Sequence, residues 1–385
     1  MNIKNYISFS RPIHGRREKK AVSGVLDGGW LTTGKKTILF EKKFKQYKKS
    51  KFALAVNSCT AALHLSLMLL NLKKDDEVIT SALTFSSTIN SIIISGAKPV
   101  IADVSLGTQN IDPEDIERKI TKKTKALLIV HFAGRSCEMD RIMFLVKKYR
   151  LKLIEDCAHS IEGKFKGKNL GTFGTFGCFS FYATKNLSIG EGGMLITSNK
   201  KLYQKARIMS LHGMDKAAWN RYGNKGYRHY DVSEVGYKYN LMDLLSAIGI
   251  IQLDKINKNL LKRKKIWNKY SSNFKSCSFK IPDKWDSKII KHSYHLFNIF
   301  LNKKRDGISR DEAILLLHKK KIGVGIHYRS IPEHSVYKKK YKWRVDDYPN
   351  AKKIGRETIS LPLSPSLSER EIAKVIKVIK NLNKN

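Results

Sequence analysis

Residues 126–156 read ALLIVHFAGRSCEMDRIMFLVKKYRLKLIED, which is a strand pattern, a helix pattern and a second strand pattern in succession. Ala126–Val130 and Lys152–Glu155 are short and apolar, as buried strands are. Between them, the apolar residues of Asp140–Tyr149 recur with the 3.6-residue period of one helix face. Because a helix that joins two strands in this way returns the chain to the same edge of the sheet, the two strands are predicted to be parallel.

The same alternation of strands and helices extends over residues 52–200. It predicts an α/β fold whose large domain has a mostly parallel, seven-stranded sheet between two layers of helices. The candidate strands are Phe52–Val56, Glu77–Ile79, Pro99–Asp103, Ala126–Val130, Lys152–Glu155, Cys178–Phe181 and Met194–Thr197. The candidate helices between them are Cys59–Leu70, Ser86–Ser95, Pro113–Ile120 and Asp140–Tyr149. Ligands of such sheets bind beyond the carboxyl ends of the strands, so residues just after strands are the candidates for function.

The second half of the chain has a different pattern. Ser198–Glu234 is polar and rich in Gly and Tyr, which predicts loops, and a connecting helix is expected to start near Asp243 and to continue through Ile256–Tyr270. We predict a large domain over residues 10–254 and a smaller α+β domain over residues 255–385. The predicted elements of the smaller domain are strand His295–Leu301, helix Arg310–Lys320 and helix Glu369–Asn381, with Ser309 and Ser368 as candidate N-caps.

The composition narrows the class of protein. The chain has 385 residues, of which 42% are hydrophobic, a globular composition rather than a disordered one. It has no apolar run of about 20 residues for a membrane span, and Met1–Arg17 contains no apolar secretory core. Its five cysteines include no C-x-x-C pair, which favours reduced thiols. We therefore expect a cytoplasmic protein with no membrane partner.

The formal net charge of +41 is the strongest compositional signal. Basic chains bind polyanions because contacts with phosphates release counterions. Here the lysines are spread along the whole chain, and no helix-turn-helix, zinc-finger, ribonucleoprotein or KH motif accompanies them. We expect a generic basic surface that steers small anions, and no nucleic-acid partner, while polyanion binding stays open as the alternative.

Two segments that follow predicted strands contain candidate functional residues: one could bind an anion, and the other contains two adjacent acidic residues. Asn57–Thr60 precedes an apolar helix, whose first N–H groups would bind a phosphate, although a simple N-cap explains the same residues. Glu155–Ser160 follows a strand, and its acidic pair could bind a metal, cap a helix or pair with a cationic heterocycle. Because no second cluster with metal spacing lies nearby in the sequence, no metal is expected. His159 of this segment could also be an ordinary core histidine.

Two further segments offer a nucleophile and a stacking ring. Lys185 follows an aromatic strand and precedes a glycine-rich turn, where desolvation would lower the pKa of its amine and make it a Schiff-base nucleophile. Phe85, after strand Glu77–Ile79, could stack on a flat ring or pack in the core. Together the four segments offer a phosphate site, a stacking ring, a carboxylate and a lysine, which are the parts that a pyridoxal phosphate enzyme needs.

These segments belong to a longer set of motifs in which the chain resembles the DegT/StrS-type sugar aminotransferases over nearly its whole length. The motifs are Ser10-Arg11-Pro12, GWLTTG at 29–34, NSCTAALHL at 57–65, HFAG at 131–134, EDCAH at 155–159, SFYATKN at 180–186, EGG at 191–193, HGM at 212–214, GYKYN at 236–240 and His327-Tyr328. The resemblance implies the aspartate-aminotransferase fold, pyridoxal phosphate (PLP) as the cofactor and a homodimer with shared active sites. In a related subgroup of dehydratases a histidine replaces the lysine, so Lys185 favours an aminotransferase.

The resemblance also implies a role for individual residues. Lys185 would bind the cofactor covalently, Asp156 would pair with the pyridine nitrogen, and His159 would lie near the ring hydroxyl. The remaining cofactor contacts would be Phe85 on the ring, Cys59, Thr60 and Ser180 on the phosphate, and Asn240 on the phosphate of the neighbouring subunit. The residues expected to border the sugar nucleotide are Trp30, Thr32, Thr33, Lys238, His327 and Tyr328.

The reaction implied is transfer of an amino group from glutamate to the ketone of a nucleotide-linked keto-sugar, for surface-glycan or lipopolysaccharide synthesis. Residues His212–Arg221 and Gly236–Asn240 are similar to those of enzymes that act at C4. Many relatives have GYNYR where this chain has GYKYN, so the chain departs from the family pattern in the segment that is expected to contact the neighbouring subunit. The alternatives are a PLP-binding regulator of the same fold and a basic nucleic-acid-binding protein.

Overall fold

The computed structural model describes residues 6–214 and 230–382. Its strands are β1 Phe52–Val56, β2 Glu77–Ser81, β3 Lys98–Ala102, β4 Thr124–Val130, β5 Lys152–Asp156, β6 Lys164–Phe165, β7 Lys168–Asn169, β8 Phe176–Ser180, β9 Gly193–Thr197, β10 Ile290–Lys291, β11 Phe297–Phe300 and β12 Thr358–Leu361. Every strand predicted for the large sheet is present, with bounds that differ by no more than two residues.

Seven strands form the large sheet in the order β1-β9-β8-β5-β4-β2-β3. The pairs β2–β3, β2–β4, β4–β5 and β5–β8 are parallel, whereas β9 pairs antiparallel with both β1 and β8. The predicted α/β class with a mostly parallel sheet is confirmed. β4 and β5 show why the prediction worked, because both have an apolar centre, are buried at all but one residue and lie in the middle of the sheet.

Helices cover both faces of this sheet. The described helices are Arg16–Asp27, Lys35–Lys48, Cys59–Met68, Ser86–Ile94, Pro113–Lys119, Met139–Lys148, Lys200–Met209, Asp243–Phe274, Lys303–Asp306, Arg310–Lys319, Ser335–Tyr341, Pro349–Glu357 and Glu369–Lys380. Along β1, Ala53 and Ala55 join the core that contains Phe40, while Leu54 and Val56 join the core that contains Leu63. Successive side chains of a strand point to opposite faces, so β1 contributes to both layers. Among these helices none combines the length and the apolar character required to cross a bilayer.

The C-terminal region has a smaller sheet, β11 paired antiparallel with β12. The predicted helices here are confirmed, and both predicted N-caps are capping boxes: Ser309 with Glu312, and Ser368 with Glu371. The predicted connecting helix is a single helix, Asp243–Phe274. Since this helix runs through residue 254, the division into domains at that point stays a prediction.

The prediction of loops over Ser198–Glu234 is wrong at its start. Helix Lys200–Met209 lies there, and the Asn199 side chain caps it by accepting a hydrogen bond from the Leu202 N–H at 3.1 Å. Only Ala206 and Met209 of this helix are buried, so its apolar stripe is too narrow to stand out among the lysines. Residues 215–229 lie outside the described part of the chain, and with them most of the His212–Arg221 segment that favoured a C4 enzyme.

Candidate active site

The predicted site residues of the large domain meet at the carboxyl ends of the parallel strands. Asp156 is the last residue of β5, and Lys185 follows β8 by five positions. The Lys185 loop is held by its own backbone, because the Lys185 N–H donates to the Tyr182 carbonyl and the Ile189 N–H to the Phe181 carbonyl, both at 2.9 Å. The topology therefore brings the predicted amine and the predicted carboxylate to one end of the sheet.

Lys185 and Asp156 affect each other electrostatically. Burial lowers the pKa of Lys185 to about 8, against the opposing effect of the Asp156 charge. Lys185 as a whole residue is half-buried. Burial raises the pKa of Asp156, while the Ala158 N–H, the charge of Lys185 and the Thr88 hydroxyl lower it. A cationic ring bound against Asp156 would lower this pKa further and keep the group a carboxylate.

Helix Cys59–Met68 begins at the same end of the sheet. Ser58 caps it by accepting a hydrogen bond from the Ala61 N–H at 3.0 Å, which leaves the N–H groups of Cys59 and Thr60 without an intrahelical acceptor. A Cβ at Gly193 would lie 2.4 Å from the Ser58 carbonyl carbon, so only glycine lets β9 approach this turn. Free N–H groups at a helix start form a phosphate site.

The Cys59 thiol lies elsewhere than the prediction of a phosphate contact suggested. Its Sγ is 3.9 Å from Asp156 Oδ1, so the side chain faces the carboxylate and only the backbone N–H is available at the helix start. Ser180 Oγ accepts a hydrogen bond from the Tyr182 N–H at 3.3 Å. The phosphate roles of Cys59, Thr60 and Ser180 stay predictions.

His159 contacts two residues that lie far apart in the sequence. Its Nδ1 accepts a hydrogen bond from the Ala133 N–H at 3.3 Å, and its Nε2 is 3.0 Å from the Tyr328 hydroxyl. Burial, together with the charge of Lys185, lowers the pKa of His159 well below its usual range, so the ring is neutral. Phe85 is 57% exposed, and its ring centre is 5.7 Å from that of Tyr328, as expected for a ring that is free to stack on a ligand.

The predicted substrate residues near the N-terminus form a second group. Trp30 Nε1 donates to the Thr33 carbonyl at 3.0 Å, and the Thr32 carbonyl accepts a hydrogen bond from the Asp243 N–H at 3.1 Å. The Thr33 hydroxyl donates to the Leu241 carbonyl at 2.6 Å and accepts from Asn240 Nδ2 at 2.6 Å. Thr33 is therefore buried and tied to the 240 segment, which leaves Trp30 and Thr32 as the exposed members of the group.

Lys238 and His327 complete the predicted set. Lys238 is exposed, and its carbonyl accepts a hydrogen bond from the Asn57 side chain at 3.1 Å. His327 Nδ1 is 2.8 Å from the Ser360 hydroxyl. Burial and the charge of Lys185 lower the pKa of His327 to about 3. His327 therefore belongs to the surroundings of Lys185, while the roles of both residues toward a substrate stay predictions.

Four residues near Lys185 were missed: Glu162, Asn186, Arg263 and His295. Asn186 contacts Glu162 and His295, and Glu162 forms an ion pair with Arg263. Glu162 and Arg263 are 101 positions apart, and Asn186 and His295 are 109 positions apart, so no spacing pattern connects the four residues. The sequence feature that came nearest to indicating this group is Glu162, an acidic residue three positions after His159.

The two acidic residues at the end of β5, Glu155 and Asp156, have different surroundings. Glu155 is fully buried and accepts hydrogen bonds from His131 Nε2 at 3.1 Å and from the N–H groups of Gly171, Phe173 and Gly174 at 2.7 to 2.8 Å. Together with Cys157, His131 and Glu155 have donor atoms within 4.8 Å of one another. Both Glu155 oxygens are already bonded to N–H groups, so Glu155 fixes the 171–174 loop, whereas Asp156 faces the site.

A flat, phosphate-bearing pyridine aldehyde fits this arrangement. The helix start at Cys59 suits the phosphate, Asp156 suits a pyridinium nitrogen, Phe85 is free to stack, and Lys185 offers the amine. The buried Asn240 Oδ1 has no hydrogen-bond partner among the described residues, but an amide oxygen can only accept, so a contact of Asn240 with a phosphate would need its Nδ2 donor instead.

The comparisons with known proteins agree with this chemistry. The profile of the DegT/DnrJ/EryC1/StrS aminotransferase family matches residues 12–380. The chain is 41% identical over 382 residues to the spore coat polysaccharide biosynthesis protein SpsC of Bacillus subtilis, covering 99% of this chain and 98% of SpsC. It is also 41% identical over 379 residues to the uncharacterized protein MJ1066 of Methanocaldococcus jannaschii, covering 98% of each.

Two solved structures extend the comparison to the fold. Spr1654 of Streptococcus pneumoniae, assigned as a sugar aminotransferase and solved in PMP and PLP forms, has a TM-score of 0.91 in the PMP form at 30% identity, over 98% of this chain and 99% of that one. Helicobacter pylori PseC, an aminotransferase of pseudoaminic acid biosynthesis, has a TM-score of 0.91 at 29% identity, over 99% of this chain and 100% of PseC.

Proposed function

Because the chain belongs to the DegT/DnrJ/EryC1/StrS aminotransferase family, we propose that it moves an amino group from glutamate to the C4 ketone of a nucleotide-linked keto-sugar. The chain is a PLP-dependent sugar aminotransferase. The donor, the nucleotide and the carbon that is aminated are the proposal. So are a cytoplasmic location and a role in surface-glycan or lipopolysaccharide synthesis. SpsC, a spore coat polysaccharide biosynthesis protein, and PseC, an enzyme of pseudoaminic acid biosynthesis, support that role.

The observation that carries the proposal is the amine of Lys185 opposite Asp156. We propose that Lys185, Asp156 and His159 are the catalytic residues. Bound PLP supplies an electron sink for the electron pair released at the carbon that carries the amino group. The residues that would hold it are Cys59, Thr60, Phe85, Asp156, His159, Ser180 and Lys185, with Asn240 contributed across the dimer.

The lowered pKa of Lys185 suits a group that takes up and returns a proton. An amine with a pKa of about 8 is partly neutral at physiological pH, whereas an ordinary lysine with a pKa near 10.5 is almost entirely charged. Asp156 provides a negative charge that a protonated ring nitrogen needs as its partner. His159 is neutral, and the N–H at its Nε2 is directed to the Tyr328 hydroxyl.

We propose that the nucleotide sugar binds in front of Lys185, between the two groups of predicted substrate residues. Trp30 and Thr32 are exposed on one side, and His327 lies near Lys185 on the other. Lys238 is the cation placed to meet a phosphate. The net charge of +41 would draw an anionic substrate toward the protein at long range.

We propose that the enzyme is a homodimer whose subunits share their active sites. Leu31 and Met242 are exposed large apolar side chains close to the segment of Asn240, because the Asp243 N–H donates to the Leu31 carbonyl, and exposed apolar side chains of this kind are typical of interfaces. A second subunit that covers these side chains would also bring Asn240 to its neighbour's cofactor.

The test is a screen of purified, PLP-loaded protein against UDP-, dTDP- and GDP-linked 4-keto and 3-keto sugars with glutamate. We expect glutamate-dependent amination of a 4-keto sugar, with one 2-oxoglutarate formed for each amino sugar, and no product from Lys185→Ala. Amination of 3-keto sugars alone would overturn the assignment to C4. A protein that binds PLP but aminates nothing would favour the regulator, and salt-sensitive, length-dependent DNA binding would favour the nucleic-acid alternative.

A further inference from the structure

A buried chain of hydrogen bonds joins the long helix to the neighbour of Lys185. Arg263, on helix Asp243–Phe274, forms an ion pair with Glu162, and their side chains are 3% and 0% exposed. Asn186 Nδ2 lies 3.1 and 2.9 Å from the two Glu162 oxygens and 2.9 Å from the Ser293 carbonyl. Asn186 Oδ1 lies 3.0 Å from His295 Nδ1. Arg263, Glu162, Asn186 and His295 are called the Asn186 chain below.

The carboxylate of Glu162 determines which atoms of the Asn186 chain donate hydrogen bonds and which accept them. Glu162, ion-paired as a carboxylate, can only accept, so the NH₂ group of Asn186 must face it and the amide oxygen must face His295. An amide oxygen can only accept as well. His295 Nδ1 therefore carries the proton that it donates to Asn186.

His295 is neutral, which decides the state of its other nitrogen. Burial lowers its pKa well below the usual range, and the positive charges of Lys185 and Arg263 act in the same direction. A neutral imidazole has one N–H, and in His295 that is the one at Nδ1. Its Nε2 is consequently an acceptor and not a donor.

The adjacent histidine has the opposite tautomer. His159 Nδ1 accepts a hydrogen bond from the Ala133 N–H, so its proton is at Nε2, which faces Tyr328. The ring centres of His159 and His295 are only 4.4 Å apart. Two neutral imidazoles in contact, each with its tautomer set by a different partner, contribute no charge of their own near Lys185.

We propose that Arg263, Glu162 and Asn186 are positioning residues that hold His295 as the Nδ1–H tautomer, so that its Nε2 is a fixed hydrogen-bond acceptor beside Lys185. The proposal rests on the function proposed above, in which Lys185 takes up a proton and returns it. The ammonium that Lys185 becomes requires an acceptor. A neutral acceptor provides one without adding the positive charge that would make proton uptake harder.

The first test compares Glu162→Gln with Glu41→Gln. Glu41 forms another buried ion pair, with Arg207 at 2.6 Å, and no described contact joins it to Asn186 or His295. A glutamine at 162 can donate as well as accept, so Asn186 is free to turn over. In the apoprotein with ¹⁵N-labelled histidine, we expect NMR to show an unprotonated Nε2 for His295 in the wild type and in Glu41→Gln, and mixed tautomers in Glu162→Gln. Turnover should fall about tenfold or more in Glu162→Gln alone.

The second test concerns His295 itself and stays informative if Glu162→Gln does not fold. His295→Asn presents an amide N–H at the position of Nδ1, whereas His295→Gln presents an amide oxygen at the position of Nε2. We expect both to bind PLP with similar thermal stability, with His295→Gln retaining turnover within about tenfold of the wild type and His295→Asn losing more. Equal turnover in the two variants, or a His295 protonated at Nε2 in the wild type, would overturn the proposal. A protein that forms no covalent PLP adduct would instead count against the proposed function.

Discussion

The Lys185 amine and the Asp156 carboxylate lie at the same end of the large sheet, and the charge of each opposes the effect that burial has on the pKa of the other. Asp156 ends a central strand, while Lys185 lies in the loop after the neighbouring strand. The sheet itself therefore positions both residues, which fixes the amine and the carboxylate relative to each other.

Asp156→Asn tests the carboxylate. We expect turnover to fall about 100-fold or more, because an amide cannot balance the charge of a protonated ring nitrogen. The Asn side chain can still accept the hydrogen bond from the Ala158 N–H, so the melting temperature should change little. Steady-state kinetics and thermal denaturation measure the two effects. Asp254→Asn, an exposed carboxylate that pairs with Arg17 and Lys43, is the control, and near-normal turnover of Asp156→Asn would contradict the assignment.

The pKa of Lys185 predicts how fast the apoprotein takes up PLP at different pH. Only the neutral amine attacks the aldehyde, so the rate should rise about tenfold for each pH unit below 8 and level off above about 8. Stopped-flow absorbance of the lysine–cofactor adduct between pH 6 and pH 10 measures this. A rate that continues to climb tenfold per unit above pH 9 would show an ordinary, solvated lysine.

Lys48 makes a separate prediction about stability. Its Nζ is buried, donates to the Ile161 carbonyl at 2.8 Å and lies 4.9 Å from the centre of the Phe179 ring, and burial lowers its pKa to about 8. The unfolded chain binds this proton up to a pH near 10.5, so the folded state loses stability as pH falls from 10.5 to 8. Lys48→Met should therefore gain about 2 to 3 kcal/mol relative to the wild type on going from pH 10 to pH 7. Urea unfolding at the two pH values measures the difference, and a gain that does not depend on pH would contradict it.

The shared active site can be tested by mixing two inactive variants. Lys185→Ala lacks the amine and Asn240→Ala lacks the proposed contact with the partner's cofactor, so one site of a mixed dimer is intact if the sites are shared. Random exchange of subunits in equal amounts should then restore about one quarter of the wild-type activity. Unmixed variants, refolded in the same way, are the control. No recovery despite demonstrated subunit exchange would contradict the shared site.

The capping boxes predict a purely structural effect. Ser368→Ala should lower the free energy of unfolding by about 1 kcal/mol, because the Glu371 N–H loses its acceptor at the start of the last helix. The affinity for PLP should be unchanged, since this helix end is remote from the Lys185 loop in the sequence and contacts none of the predicted cofactor residues. Denaturant titration and PLP binding measure the two quantities, and a large loss of PLP affinity would contradict this view.

The strands of the large sheet could be predicted from the sequence because each contains enough apolar residues to be recognised from its own short segment. β4 and β5 are buried along most of their length, and function followed from the residues after strands, such as Asp156 and Lys185. Helix Lys200–Met209 was missed because only two of its residues are buried. Local patterns of this kind are visible only when several residues share one environment.

The Asn186 chain could not be predicted for a different reason. Its order of donors and acceptors depends on contacts between residues that lie far apart in the sequence, such as Asn186 with His295, which are 109 positions apart. The sequence around a histidine does not show which tautomer it adopts, and the sequence around a glutamate does not show which residue it pairs with. Thr33 shows the same limit, because nothing in the sequence indicates that its hydroxyl donates to the Leu241 carbonyl.

The covalent attachment of PLP tests the central claim most directly. Purified protein is incubated with PLP, reduced with borohydride, digested and analysed by mass spectrometry. We predict one pyridoxyl group per chain, on the peptide that contains Lys185, and none in Lys185→Ala. Label spread over the surface lysines, label at a different single lysine, or a protein that stays colourless with PLP would contradict it.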